Sequence, residues 1–456
     1  MSTASGPLTE SASAESLEDA KSQAPRPGKR NSMLGPLRYN DYRLLFAGQL
    51  ISFIGDAFYA VALPWYMLTK GGGAANLGLA MTAYGVTMGA GTLLGGWLSD
   101  KLRPYRVMLI SDFTRIFILL GIAWLTYGGG APILPAGHAA PLWAIASFTA
   151  VLGLFDGAFF PASSAVAPAL LPDDQLQAAN GLYYALGRGA QLIGPSLAGA
   201  AVVSLGSPTA FALDALTFVV STITLAFIRG RARQQAANQA TSAASANDMA
   251  PTGDDQPTAA SAPTDSLWRF AFSNSYFPLL LIVLITGNII NGAAEVGFPA
   301  LANGPLHTNA QGFGFMLAGS GAGGLVGGLL AGPLGPLTNR GWKAFCFFIA
   351  QVVPFSVVAF APNVYVAIGG MACFGLLNGI GNVSFQTMIQ RKLPRNLLGR
   401  IWGLFAFSNF ATFPLAVAAA GFAVTYFGPS IVIFAATIIM GLSVSVGLLN
   451  RELREM

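Results

Sequence analysis

Long apolar runs separated by short polar breaks organise this chain. A helix needs about 20 apolar residues to cross a bilayer, and runs of that size recur. The first six occupy 44–69, 77–99, 107–127, 141–171, 179–203 and 209–228. The second is free of charge. The others carry, in turn, Asp56, Asp112 with Arg115, Asp156, Arg188 and Asp214. A stretch rich in Ala, Ser, Thr, Gln and Pro follows at 229–265 and predicts a flexible linker. The LWRFAF segment at 267–272 predicts a short interfacial helix. The second set begins at 277–306, with Glu295 as its one charge. Charge-free runs at 312–339, 344–361, 362–390 and 401–450 complete it, the last split at Phe427-Gly428-Pro429.

The pattern predicts an all-α membrane protein of twelve transmembrane helices in two six-helix bundles, at 39–228 and 266–450. A disordered tail is expected at 1–38 and a short one at 451–456. No apolar signal-peptide core precedes the first run, so that run is expected to direct insertion.

Composition agrees. Hydrophobic residues make up 54% and charged residues 9%, where a soluble domain carries about 25% charged. The 55 glycines suit helices that pack closely in lipid. The net charge of +5 does not mark a nucleic-acid-binding face, because the basic residues are scattered through short loops. Their spacing orients the chain. Of the 24 Lys and Arg, all but Lys70, Arg115 and Arg188 fall in the tails, the linker or alternate loops. Both termini are therefore expected on the cytoplasmic side, in a bacterial inner membrane.

The two sets of runs repeat each other. A shift of 239 carries Gly48, Asp56, Gly96, Asp100 and Lys101 onto Gly287, Glu295, Gly335, Asn339 and Arg340. A shift of 222 carries GLFDG at 153–157 onto GLLNG at 375–379. Ordered matches of this kind predict a parallel duplication.

The loop after the second run, GGWLSDKLRPYR, resembles the signature between the second and third spans of the major facilitator superfamily. Pro104 and Tyr105 depart from that signature, and GPLTNRGWK at 335–343 is a degenerate counterpart. GRGAQLIGPSLAG, with Gly194, Pro195 and Gly199, partly resembles the span 5 motif of the family's antiporters. NDYRLLFAGQLISFIGD, GLFDGAFF, FALDALTF and LPRNLLGRIWGL look like the macrolide-efflux and enterobactin-exporter branch. The resemblance implies the major facilitator fold, a monomer, and alternating access. It implies a central cavity lined by spans 1 and 7, faced by Asp56 and Glu295. It also implies that Gly96, Asp100, Lys101, Arg103 and Arg106 form a cytoplasmic gate network.

Charges inside hydrocarbon are costly and mark pathways or partners. A carboxylate alternately dry and wet can bind and release a proton. Asp56 and Glu295 are accordingly candidates for proton coupling or substrate contact. Asp112 and Arg115 lie three apart on one helix face and predict an intrahelical pair. Asp156 and Arg188 are expected to pair across the first bundle, as a structural clamp or as a coupling switch, and join Asp56 and Glu295 as candidates for proton coupling or the substrate cavity. Asp214 reads as a polar cap near the outer end of its span. Gly85 and Gly89, and Gly319, Gly323 and Gly327, predict close helix contacts. Phe58, Tyr59, Trp65, Phe298, Trp402 and Phe405 are candidate cavity aromatics. Cys346 and Cys373 read as buried free thiols. His138 and His307 have no partner at metal-ligand spacing, and no GxxxxGK[ST] loop occurs.

The expected activity is secondary transport without cofactor or metal and without enzymatic chemistry. The leading expectation is proton-coupled efflux of hydrophobic or amphipathic small molecules such as drugs. The alternative is a dedicated siderophore or secondary-metabolite exporter. A lipid flippase or importer is the weaker alternative. Protons, a small-molecule substrate and membrane lipids are the expected partners, with no nucleic acid.

Overall fold

A computed structural model describes residues 33–70, 72–127, 141–228, 276–334, 341–392 and 395–449. The first bundle comprises α1 (Asn40–Thr69), α2 (Ala74–Leu102), α3 (Pro104–Thr126), α4 (Leu142–Leu170), α5 (Asp173–Leu205) and α6 (Ser207–Ala226). The second comprises α7 (Tyr276–Asn303), α8 (Ala310–Ala331), α9 (Gly341–Ala350), α10 (Val352–Ala359), α11 (Val364–Lys392), α12 (Arg395–Phe427) and α13 (Pro429–Leu449).

Among the described residues, ten helices are long and apolar enough to cross a membrane. Two further crossings complete twelve. Helix α5 is long but diluted by Asp173, Asp174, Gln175 and Arg188. Helices α9 and α10 share one crossing, broken at Gln351. Pro354 explains the break, since it has no N–H to offer the carbonyl four residues earlier. The long final run divides at Gly428, whose φ of 80° suits glycine.

Each bundle is packed by the same device. Glycines 91, 95, 153 and 157 bring α2 against α4, and a Cβ at any of them would collide with the other helix's backbone or hydroxyls. Gly323, Gly327, Gly375 and Gly379 do the same for α8 and α11. Gly319 takes part on α8, against Ile368. With lipid as solvent, helices gain little from hiding apolar surface, so close van der Waals contact is the main attraction.

The bundles meet along two seams, α2 on α12 and α5 on α8. Gly78 lies against Gly421, Gly85 against Pro414 and Gly89 against Phe410. The Thr82 hydroxyl donates to the Pro414 carbonyl at 2.9 Å. On the second seam, Gly199 meets the Ala310 backbone, Gly314 meets Pro195 and Gly321 meets Gln191. Further along the same helices the contacts stop. A Cβ built on Gly96, Gly187, Gly189, Gly328 or Gly403 would meet nothing within 4 Å. The bundles are joined at one end and apart at the other.

Two expectations are corrected. The tail does not extend to residue 38, because Gly35–Arg38 forms a 3-10 turn with Gly35 and Pro36 buried. Cys346 and Cys373 are exposed, not buried; an apolar tract in lipid can turn any face outward. The linker at 229–265, the segment at 267–272, His138 and the C-terminal tail lie outside the described residues.

Candidate functional site

A cavity of about 370 Å³ opens on the first bundle and reaches the second. Helix α1 supplies Gln49, Ser52, Asp56 and Tyr59 from successive turns of one face. Helix α2 adds Tyr84, α3 adds Arg115, α4 adds Asp156 and α6 adds Asp214. Glu295 reaches in from α7. Asp56 and Glu295, paired by the internal repeat, therefore line one cavity.

Arg115 is the hub. Its Nε lies 2.7 Å from Oδ1 of Asp156. Its Nη1 lies 3.3 Å from Oδ1 of Asp112, one turn back on α3. Its Nη2 donates to the Phe155 carbonyl at 3.2 Å. The guanidinium also sits over the rings of Phe159 and Phe218, at 4.6 and 5.0 Å. Arg115 is 4% exposed and Asp112 fully buried. A buried guanidinium is tolerable when carboxylates face it on two sides and a carbonyl takes a third. The carboxylates are held from their other sides. The Tyr84 hydroxyl donates to Asp156 Oδ2 at 2.6 Å, and the Ser221 hydroxyl to Asp112 Oδ2 at 2.6 Å.

The expected Asp156–Arg188 pair is not formed. Helices α4 and α5 touch little, and Arg188 faces the seam toward α8. Its Nη1 lies 3.7 Å from where a Cβ on Gly324 would sit. It donates to the Tyr184 hydroxyl at 3.0 Å and to Gln191 Oε1 at 3.2 Å. The expected Asp112–Arg115 pair is present, but it is one side of a three-residue cluster. Asp214 is no cap. It is 1% exposed, accepts from the Thr217 hydroxyl at 3.4 Å and borders the cavity.

Gly194 packs against Ala57 of α1, and α5 runs unbroken through Pro195. The span 5 motif thus sits between α1 and the seam that Gly199 makes with α8. In the last turns of α2, Lys101 stacks on Trp97 at 4.0 Å. Asp100, Lys101, Arg103 and Arg106 form no ion pair with any described residue. Arg103 has a φ of 73°, so the glycine-like position of this turn is residue 103 rather than 104.

A second chamber of about 310 Å³ lies in the second bundle. Its polar lining consists of amides: Asn288 and Asn291 of α7, Gln351 at the broken crossing, Asn378 and Asn382 of α11, and Asn409 of α12. Phe348, Phe374 and Phe385 provide the rings. Asn378 donates to Gln351 Oε1 at 3.3 Å, and Asn382 to Asn378 Oδ1 at 2.8 Å. Sequence reading passed over these amides because they carry no charge. The available signal was Asn378, which the repeat sets opposite Asp156. Of the candidate aromatics, Tyr59 borders the first cavity, while Phe298 and Phe405 are packed in the core.

Residues 45–417 match the Major Facilitator Superfamily over most of the chain. The chain belongs to that superfamily. It is a transport protein rather than an enzyme. The solved nucleoside transporter NupG superposes with a TM-score of 0.68 at 12% identity, covering 89% of this chain and 98% of that one. A peptide transporter POT bound to alafosfalin superposes at 0.66 with 14% identity, covering 93% and 97%. These share the fold. In sequence, the transporter is 25% identical over 377 residues to the enterobactin exporter EntS of Citrobacter koseri, covering 81% of each chain. An Escherichia coli EntS is 24% identical over the same share.

Proposed function

We propose that this superfamily transporter exports a siderophore or comparable secondary metabolite in exchange for protons. The observation that carries the coupling is the Arg115–Asp156 pair at the edge of a cavity that also holds Asp56, Asp214 and Glu295. One guanidinium among five carboxyls, Asp112 included, leaves uncompensated negative charge if all ionise. Such charge is costly in a low-dielectric site, and protons are the smallest particles that offset it. The similarity to enterobactin exporters across most of both chains supports a metabolite cargo and outward transport. With the termini cytoplasmic, as the Lys and Arg distribution indicates, the open end faces the cytoplasm and is the loading side. The unpaired Asp100 network then belongs to the opposite state, in which that end closes.

A second reading keeps the mechanism and changes the cargo. The first cavity combines carboxyls with Phe53, Phe159, Phe160 and Phe218, a lining that also suits lipophilic cations. Everted membrane vesicles with an acid interior separate the two. Proton release would be followed on adding enterobactin or ethidium. Release with enterobactin, reduced about tenfold or more in Asp156→Asn, is the expected result. Release with ethidium alone selects the drug-efflux reading. Accumulation of either compound without proton release removes the coupling assignment.

A further inference from the structure

We infer that the amide chamber of the second bundle is a subsite for an uncharged aromatic ring bearing adjacent hydrogen-bonding groups, as in a phenol, catechol or aryl amide. This rests on the transport reading above and specifies where one part of the cargo is held.

Charge is the first discriminator. No Asp, Glu, Lys, Arg or His lines this chamber. A charged group placed there would lose its hydration without gaining a counter-charge, which is prohibitive. The neighbouring cavity around Arg115 has the opposite character.

Hydrogen-bonding capacity is the second. Asn291 and Asn409 make no side-chain hydrogen bond to a described residue, and both are open to the chamber. Gln351, Asn378 and Asn382 form a chain that leaves the Asn382 carbonyl oxygen unused. Each primary amide offers two donors and an acceptor. Water satisfies them when the chamber is empty of cargo. A ligand that displaces the water must replace those bonds, because each buried unmet group costs about 1–3 kcal/mol. Such a site rejects purely apolar molecules more strongly than it favours its own ligand.

Shape is the third. Phe348 and Phe385 meet edge to face at 6.0 Å, and Phe374 adds a further ring. Ring faces and edges of this kind receive another aromatic ring. A volume of about 310 Å³ is at the small end for ligand pockets. It fits one substituted ring of a larger molecule.

Full-length protein in lipid nanodiscs would be titrated calorimetrically with the neutral 2,3-dihydroxybenzamide and, separately, with ethidium. The double variant Asn291→Leu with Asn409→Leu is expected to bind the first probe about tenfold or more weakly and ethidium as before. Asn291→Gln with Asn409→Gln keeps the amides and is expected to retain binding within about threefold. That contrast separates lost hydrogen bonds from lost space, and it stands even if the leucine variant folds poorly, since Asn409→Ser can replace it. Equal loss in the leucine and glutamine variants would overturn the assignment. So would no loss in either, or no binding of the phenolic probe to the native protein. Proton release in vesicles is read independently, so the transport reading can survive the failure of this one.

Discussion

In the first bundle, Arg115 on α3 holds Asp156 on α4 at 2.7 Å. In the second bundle, Gln351 at the α9–α10 break accepts from Asn378 on α11 at 3.3 Å. Asp156 and Asn378 are repeat partners, and Gln351 lies in the third span of its half as Arg115 does in its own. The same tie between third and fourth spans is ionic in one bundle and amide in the other. The two bundles share their packing and differ in charge, as the expected duplication would allow. A carboxylate–guanidinium tie responds to protonation of the carboxylate, which is what the proposed coupling requires. An amide tie does not respond in this way, and the inferred neutral-ring subsite lies beside it.

Breaking each tie should show this difference most clearly. Arg115→Met leaves Asp112 and Asp156 buried without their cation, and a stranded buried charge costs about 3–5 kcal/mol. Gln351→Met removes two long neutral hydrogen bonds, from Asn378 and to the Phe347 carbonyl, and should cost about 1–2 kcal/mol. Thermal unfolding in detergent would measure both. Similar losses at the two sites would mean that the ion pair is structurally no more demanding than the amide pair, and the contrast drawn between the bundles would be wrong.

The packing glycines make the complementary comparison, since here the bundles should behave alike. Gly91 lies on the Leu154 backbone and Gly323 on the Ala372 backbone. Gly91→Val and Gly323→Val each force a helix pair apart, at about 1–3 kcal/mol for overpacking. Equal shifts in melting temperature are expected. A tolerated valine at one site alone would show that one bundle is held by something other than this contact.

How far the sequence could be read follows from what each signal encodes. Span positions were legible because hydrocarbon admits few charges, and the division at Gly428 was legible because glycine and proline interrupt a helix. Asp56 and Glu295 stood out as lone acids at matching repeat positions. Hydropathy reports depth along a helix and not which neighbour a face meets. Depth therefore sets Asp156 level with Arg188, on a helix that α4 scarcely touches, whereas its partner is Arg115. The depth of Asp214 suggests a cap, whereas its face of α6 turns inward. The broken crossing at Gln351 was hidden because Pro354 sits within an otherwise continuous apolar run. The amides were illegible for a different reason. Asn and Gln cross a hydropathy threshold without the alarm that a charge raises, so a neutral polar chamber leaves almost no trace in a charge-based reading.

The smallest expected effect concerns the turn after α2, where backbone and charge can be separated. Arg103 has φ 73° and ψ 132°, a conformation that a residue with a Cβ adopts at a cost of about 1–3 kcal/mol. Pro104 follows and opens α3, and a proline keeps the preceding residue extended in ψ. The turn therefore requires this geometry whatever side chain it bears. Arg103→Gly should raise stability by about 1 kcal/mol, the upper part of what such relief gives after the glycine's extra unfolded-state entropy is counted. Arg103→Ala keeps the strained geometry and should not. Both remove the charge, so any loss of transport common to the two variants reports the guanidinium, and any difference between them reports the turn. If alanine proved as stabilising as glycine, the backbone cost would be absent. The gain would then come from removing the Arg103 side chain and not from relief of the turn.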